Sequence, residues 1–225
     1  MKKPSTFNYD LIADDYESWY YGEKGRAYAE LEKEALFEFL TTMSPGSRLL
    51  DAGCGTGFFT QYFRQLGFKV TALDPFMSMM KKAQEKKLDD LVAGSGMELP
   101  FMDGVFDVTV SVTAIEFVPD KRKFISEMAR CTRAGGLILT GTLNRRSIHQ
   151  IRKTLFPSEV KSSAHHLSER ELIELLSPWG HPEVIHTAWM LPFSWYYGLS
   201  VPLSRIMRSF NIKGGDFMTG AVLKK

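Results

Sequence analysis

The stretch LLDAGCGTGFF, residues 49–59, constrains this chain more than any other segment. An apolar run ends in Asp51, and Gly53, Gly55 and Gly57 follow at alternate positions. Glycine reaches backbone conformations that are closed to other residues. The spacing therefore predicts a buried strand that turns through a tight loop into a helix, with backbone free to press against a ligand. Two well-known phosphate loops do not fit. The pattern G-x-G-x-x-G needs its third glycine at position 58, which is Phe58. The P-loop needs Gly-Lys-Ser/Thr, which does not follow. An acidic residue just before the glycines also disfavours phosphate. It favours a ligand that donates hydrogen bonds or carries an ammonium group.

Beyond the loop, the segments alternate. Strand-like pieces at 48–52, 69–74, 90–94, 106–113 and 136–143 are separated by helical stretches near 58–66, 76–87 and 120–133. That order predicts a doubly wound, mostly parallel α/β sheet. An amphipathic helix is predicted over 23–42, with Leu31, Ala35 and Phe39 on its apolar face. Ser168 and Glu171 form a capping-box pattern that opens another helix, closed by Pro178 and Gly180. Segments 182–191 and 215–225 read as closing strands. The 44% hydrophobic and 24% charged content suits a soluble globular protein. A net charge of +2 does not suggest a nucleic-acid partner. Cys54 and Cys131 are too few for a disulfide framework and suggest a reducing, cytoplasmic setting. The first residues lack a signal-peptide pattern, and no apolar run is long enough to span a bilayer.

LLDAGCGTG resembles motif I, D/E-x-G-x-G-x-G, of the class I S-adenosylmethionine-dependent methyltransferases. Further pieces follow in that family's order across residues 45–145: VTALD ending in Asp74, GSGMELPF (94–101), GVFDVTVSVTAIEFVPD (104–120) and TRAGGLILTGTLNR (132–145). The resemblance implies a Rossmann-like seven-stranded sheet in a single domain, residues 1–225. Residues 1–44 would form a helical cap and 45–145 the cofactor-binding half. Residues 146–225 would hold substrate-side helices, an aromatic insertion at 189–210 and the closing strands. It implies S-adenosyl-L-methionine as cofactor and S-adenosyl-L-homocysteine as product. By the same resemblance Asp51 holds the methionine ammonium beside Gly53, Gly55 and Gly57. Asp74 accepts the ribose hydroxyls, the adenine rests between Pro75 and Met97 near Ser95 and Gly96, and Ser111 adds a contact from the fourth strand. FNYDLIADDYESWY resembles an N-terminal segment of the quinone-biosynthesis methyltransferases, which implies that Tyr9 and Tyr16 close over the cofactor. The implied activity is methyl transfer to a small, apolar or aromatic acceptor through O, N or C.

The chain departs from the family pattern twice. Ser95 stands where the family has Asp, and Phe117 where related sequences have His. Both departures motivate a second reading, a non-catalytic cofactor-binding partner or regulatory protein. A nicotinamide dehydrogenase would share only the layout. The candidates for acid–base work are Glu116, His165 and His166. Glu116 either faces the cofactor or caps the following helix, and the histidine pair is either in the acceptor pocket or on an exposed loop. The histidines show no metal-ligand spacing, so no metal site is expected. The basic stretch 144–156 reads either as a contact for phosphate or an anionic acceptor or as a solvated helix face. Residues 189–210 carry Phe193, Trp195, Tyr196, Tyr197 and Phe210, cut by Pro192 and Pro202. A lid over the acceptor, a peripheral membrane or partner contact, and core packing all remain open for this segment. The prolines exclude one long helix there. The expected assembly is a monomer or a homodimer.

Overall fold

A computed structural model describes residues 13–88, 90–147, 164–190 and 197–225, with side chains omitted for 13–16 and 197. Its elements are α1 (Ala13–Tyr21), α2 (Glu23–Leu40), β1 (Arg48–Ala52), α3 (Phe58–Gln65), β2 (Lys69–Asp74), α4 (Met77–Glu85), β3 (Leu91–Ala93), β4 (Phe106–Val112), α5 (Lys121–Cys131), β5 (Thr132–Leu143), α6 (Glu169–Leu176), β6 (Glu183–Thr187), α7 (Tyr197–Ser209) and β7 (Phe217–Leu223).

The seven strands form one sheet in the order β3-β2-β1-β4-β5-β7-β6. Strands β1 to β5 pair in parallel, and β7 runs antiparallel between β5 and β6. Parallel neighbours need a long crossover, and the chain supplies helices for it. The expected mostly parallel, doubly wound sheet is therefore present, with one reversed strand near its edge. β5 is longer than its apolar core suggests. It begins at Thr132, directly after α5, across a register shift between Phe106 and Val108 of its partner.

Alternation along the strands divides the core into two layers. Val108, Val110, Val112, Leu137, Leu139, Phe217 and Ala221 face α2 and α3, meeting Leu31, Leu36, Phe39 and Phe63. Leu50, Phe106, Ile138, Met218 and Val222 face α5 and α6, meeting Phe124, Ile125, Met128, Leu172 and Leu176. Leu31, Ala35 and Phe39 are all buried, as the helical period requires. α6 opens with a complete capping box between Ser168 and Glu171.

α7 runs through Pro202, which the sequence marks as a break, while Trp189 and Met190 before it are not helical. A proline inside a helix loses one backbone hydrogen bond, and tertiary contacts offset that loss. Ser200 and Ser204 are buried, and Ser204 Oγ accepts from Trp189 N at 2.9 Å. Arg205 pairs with Glu30 and Glu34 of α2, and Arg208 with Glu38. The helix is thus packed beside α2. Phe193, Trp195 and Tyr196 lie outside the described residues, as does most of the 144–156 stretch.

Candidate functional site

β1 pairs with β2 on one side and β4 on the other. Connections on the two sides leave toward opposite faces of the sheet, and a crevice opens at the carboxyl ends of the strands. A cavity of about 260 Å³ lies there. Its walls are Gly53–Thr56 after β1, Asp74–Phe76 after β2, Ser95–Met97 after β3, and Thr113, Ala114 and 117–119 after β4. Tyr20 of α1 and Phe58 and Phe59 of α3 border it. Those two phenylalanines, in the first turn of α3, are therefore part of the wall.

The glycines are needed for shape. Gly53 has φ +83° and Gly57 φ +77°. A Cβ on Gly53 would meet the Ala114 Cβ at 2.5 Å, and one on Gly57 the Leu88 Cδ1 at 2.4 Å. The loop is then tied to β2. Gly53 N and Cys54 N both donate to the Leu73 carbonyl, at 2.7 and 3.0 Å. Gly55 N donates to Asp74 Oδ2 at 2.8 Å, and Phe76 N to Oδ1 at 2.9 Å. Asp74 thereby clamps two loops while keeping lone pairs for a ligand. Burial raises its pKa, against the pull of those two N–H groups. Asp51 is buried at the end of β1, with Oδ2 accepting from Thr60 Oγ1 at 2.6 Å. Burial pushes its pKa up to about 7; the Thr60 bond opposes this and the nearby Asp74 adds to it.

The loop after β3 is held from behind. Arg130 of α5 donates to the carbonyls of Phe101 and Leu99 at 2.8 and 2.9 Å, and pairs with Glu127 and Asp103. Glu127 also accepts from Leu99 N at 2.8 Å. These contacts fix the segment that carries Ser95–Met97. Nothing in the sequence distinguishes Arg130 from other basic residues on a helix face. Ser95 Oγ accepts from Met97 N at 3.2 Å, so its hydroxyl also shapes its own turn.

α1 is latched over the cavity at two points. Tyr20 stacks on Phe58 with ring centres 4.0 Å apart. Lys86 pairs with Glu17 at 2.5 Å and donates to the Thr56 carbonyl of the glycine loop at 2.7 Å. Tyr9 and the Tyr16 side chain lie outside the described residues.

The structure brings Asp51, Gly53, Gly55, Asp74, Pro75, Ser95, Gly96 and Met97 together around one cavity. Gly57 supports the loop from behind. Ser111 is fully buried within β4 and does not line the cavity, whose wall begins at Val112. Glu116 neither lines the cavity nor caps α5. Its Oε1 accepts from Thr142 Oγ1 and Leu143 N, both at 2.8 Å, and Asp120 is the cap, accepting from Lys123 N. Burial raises the Glu116 pKa, with those hydrogen bonds opposing. His165 N donates to the Glu116 carbonyl at 2.9 Å. This sets the histidine loop beside the end of β4, with the His165 side chain exposed and His166 half-buried. Among the described residues no group of His, Cys, Asp and Glu could hold a metal ion, and no helix is long and apolar enough to cross a membrane.

A reversed strand beside a parallel sheet, with a glycine loop and two buried acids at its switch point, defines a class I methyltransferase fold. Residues 50–140 match the family model described as methyltransferase domain. Over that span the chain is similar to methyltransferase domains. It is 35% identical over 162 residues to a malonyl-[acyl-carrier protein] O-methyltransferase of Hamiltonella defensa, covering 69% of this chain and 62% of that protein. It is 32% identical over 148 residues to a 2-methyl-6-phytyl-1,4-hydroquinone methyltransferase of Synechocystis, covering 64% of this chain and 43% of that one. The chain thus spans less than two thirds of the length of these curated relatives. Among solved structures, a Thermotoga maritima S-adenosylmethionine-dependent methyltransferase, described as a possible histamine N-methyltransferase, aligns with TM-score 0.75. That alignment covers 96% of this chain and 98% of the other at 23% identity, a likeness of fold alone.

Proposed function

We propose that the protein transfers a methyl group from S-adenosyl-L-methionine to a small acceptor. The observation that carries this reading is the pair Asp51 and Asp74, set on either side of the glycine loop in one cavity. The residues present fit the cofactor. Positive-φ glycines let the loop pack against Ala114 and Leu88 and keep its backbone on the cavity wall, Asp51 offers a buried carboxylate to an ammonium, and Asp74 retains acceptor capacity for two hydroxyls. Pro75, Gly96 and Met97 form an apolar slot for a flat base. When bound, the cofactor supplies a methyl group on a positively charged sulfur. The chain's task is alignment, and proximity supplies much of the rate in such a displacement. Tyr20, Phe58, Phe59 and Phe117 border the cavity with apolar surface, which supports an acceptor with an apolar or aromatic body.

Asp51→Ala is expected to weaken S-adenosylmethionine binding by roughly ten-fold or more, because a charge-assisted hydrogen bond contributes about 1.5–3 kcal/mol. Methylthioadenosine, which lacks the amino-acid part, is expected to bind both proteins alike. Asp51 is held protonated up to about pH 7 in the free protein. A cationic ligand needs it ionised, so affinity in wild type rises with pH up to about 7 and then levels off. Calorimetry from pH 5.5 to 8.5 checks both statements. Equal loss with both ligands, or a flat profile, removes Asp51 from the ammonium site. Incubation with methyl-labelled cofactor and a deproteinated cell extract then tests turnover. Binding without transfer to any fraction favours the regulatory reading.

A further inference from the structure

Glu32 of α2 and Glu116 are each buried, at 2% and 1% exposure. In each the Oε2 atom meets no hydrogen-bond donor. Neither carboxylate forms an ion pair among the described residues, and the charges of Lys33 and Lys121 act on Glu32 and Glu116 only from farther off. A buried carboxyl oxygen without a donor is costly, and at the inward-facing helix position of Glu32 a leucine would fill the space without that cost.

Contacts from four elements bring the two acids to one place. Glu116 Oε1 accepts from Leu143 N at 2.8 Å. The next residue, Asn144, donates its N–H to the Asp216 carbonyl at 2.8 Å. The Asp216 Oδ2 accepts from Tyr28 OH at 2.6 Å. Tyr28 lies one helical turn before Glu32, and helix side chains lean toward the N-terminus, so the Glu32 carboxyl leans toward this same strand end. The like charge of Glu116 registers at Glu32, second only to burial among the causes that raise its pKa. The place adjoins the cavity, since Ala114 and Phe117 line it on either side of Glu116.

A separate observation comes from the sheet. Thr219 and Thr187 are buried, and neither Oγ1 has a partner. Phe217 and Ala221 pack in the α2 layer while Met218 and Val222 pack in the other, so Thr219 faces α2. By the same alternation Ile185 and Thr187 face α2. The α2 side of this strand end therefore holds two acids and two hydroxyls with unused hydrogen-bonding capacity.

Resting on the methyltransferase reading, we propose that Glu32 and Glu116 form the polar end of the acceptor site and select an acceptor bearing a cationic amine. An ammonium brings several N–H donors and a positive charge: the unpaired Oε2 atoms can accept, and a bound cation favours the ionised form of both acids, which burial otherwise disfavours. A carboxylate acceptor makes ionising either acid costlier still, and a neutral hydroxyl brings no charge that would offset that cost.

The test uses three probes of similar shape: 2-phenylethylamine, 4-ethylphenol and 3-phenylpropionate. Each is titrated by calorimetry into the full chain, with and without saturating S-adenosylhomocysteine. The amine is expected to bind at least about ten-fold tighter than the carboxylate. Glu32→Gln and Glu116→Gln, each checked for folding by circular dichroism, are each expected to lose about ten-fold or more for the amine, with S-adenosylhomocysteine affinity unchanged. Equal binding of amine and carboxylate overturns the proposal. So does amine binding that both variants preserve, or absence of binding by every probe. Glu32-dependent amine binding without any binding of S-adenosylhomocysteine supports the amine site and defeats the methyltransferase reading instead.

Discussion

Asp74→Asn is expected to lower affinity for S-adenosylmethionine and for adenosine by about 100-fold, as much as is expected of Asp74→Ala. The usual expectation for an isosteric amide is milder. Here both carboxylate oxygens already accept from backbone, Gly55 N at 2.8 Å and Phe76 N at 2.9 Å. An asparagine has one carbonyl oxygen and one NH2, so one of its ends must face an N–H group. That contact becomes repulsive, and one loop loses its anchor. Each buried N–H left without an acceptor costs about 1–3 kcal/mol. The glycine loop and the turn after β2 both form cavity walls, so the loss reaches the ligand twice. It acts once through the hydroxyls that Asp74 would accept, and again through the displaced backbone. Asp74→Glu keeps the charge but moves it by one methylene, and an intermediate loss is expected. Titration with adenosine decides the point, because adenosine has no group for Asp51. Near-normal adenosine binding by Asp74→Asn would remove Asp74 from the ribose site.

Glu32→Leu is expected to stabilise the cofactor-free protein, and more so as pH rises. Burial and the nearby Glu116 push the Glu32 pKa from 4.5 up to about 8, with the Lys33 charge opposing. The native state therefore keeps a proton that the unfolded chain releases near pH 4.5. Between those values native protein binds more protons than unfolded protein, so stability falls as pH rises. Below pH 4.5 both states are protonated and Glu32 costs little, while above about pH 8 the full penalty is present. Asp51 acts in the same direction, from 3.8 up to about 7. Glu127, Glu169 and Glu171 act oppositely. Their partners hold their pKa values down, and the stability they contribute is lost as pH falls through those values. Wild type is thus expected to have its highest melting temperature near pH 5 without cofactor. Glu32→Leu should be close to it there and higher by roughly 10–20 °C at pH 9, because a rise from 4.5 to about 8 corresponds to about 5 kcal/mol, at about 2–4 °C per kcal/mol for a chain of this size. Melting curves of the two proteins from pH 4.5 to 9 provide the check. Parallel profiles would mean that Glu32 is solvated or paired in solution.

Glu32 also shows what sequence reading missed. In EKGRAYAELEKEALFEFL it is one of several glutamates on an amphipathic helix, and helix glutamates are normally solvated. Only the placement of α2 on the sheet, with Tyr28 fixed to Asp216, turns this particular one inward. Arg130 is a similar case, one basic residue among several until its guanidinium is seen holding two carbonyls of the loop after β3. Glu116 was visible as a candidate, but its direction was not, because the Leu143 N–H and Thr142 hydroxyl that capture it belong to another strand.

The strands and their order of alternation with helices, by contrast, could be read directly. Apolar runs of strand length, broken by Gly, Pro and Asp, specify local conformation through steric limits that act within a few residues. The glycine loop belongs with them, since Gly53 and Gly57 adopt positive φ for reasons of local sterics and close packing. The sequence by itself determined the α/β class, the loop and the two acids that flank it. The tertiary structure alone decided which face of α2 is buried, that α7 runs through Pro202 beside α2, and that Glu32 and Glu116, far apart along the chain, are both buried and feel each other's charge. Those outcomes depend on long-range burial and charge, and the same residues would be ordinary surface groups wherever the chain did not fold back upon them.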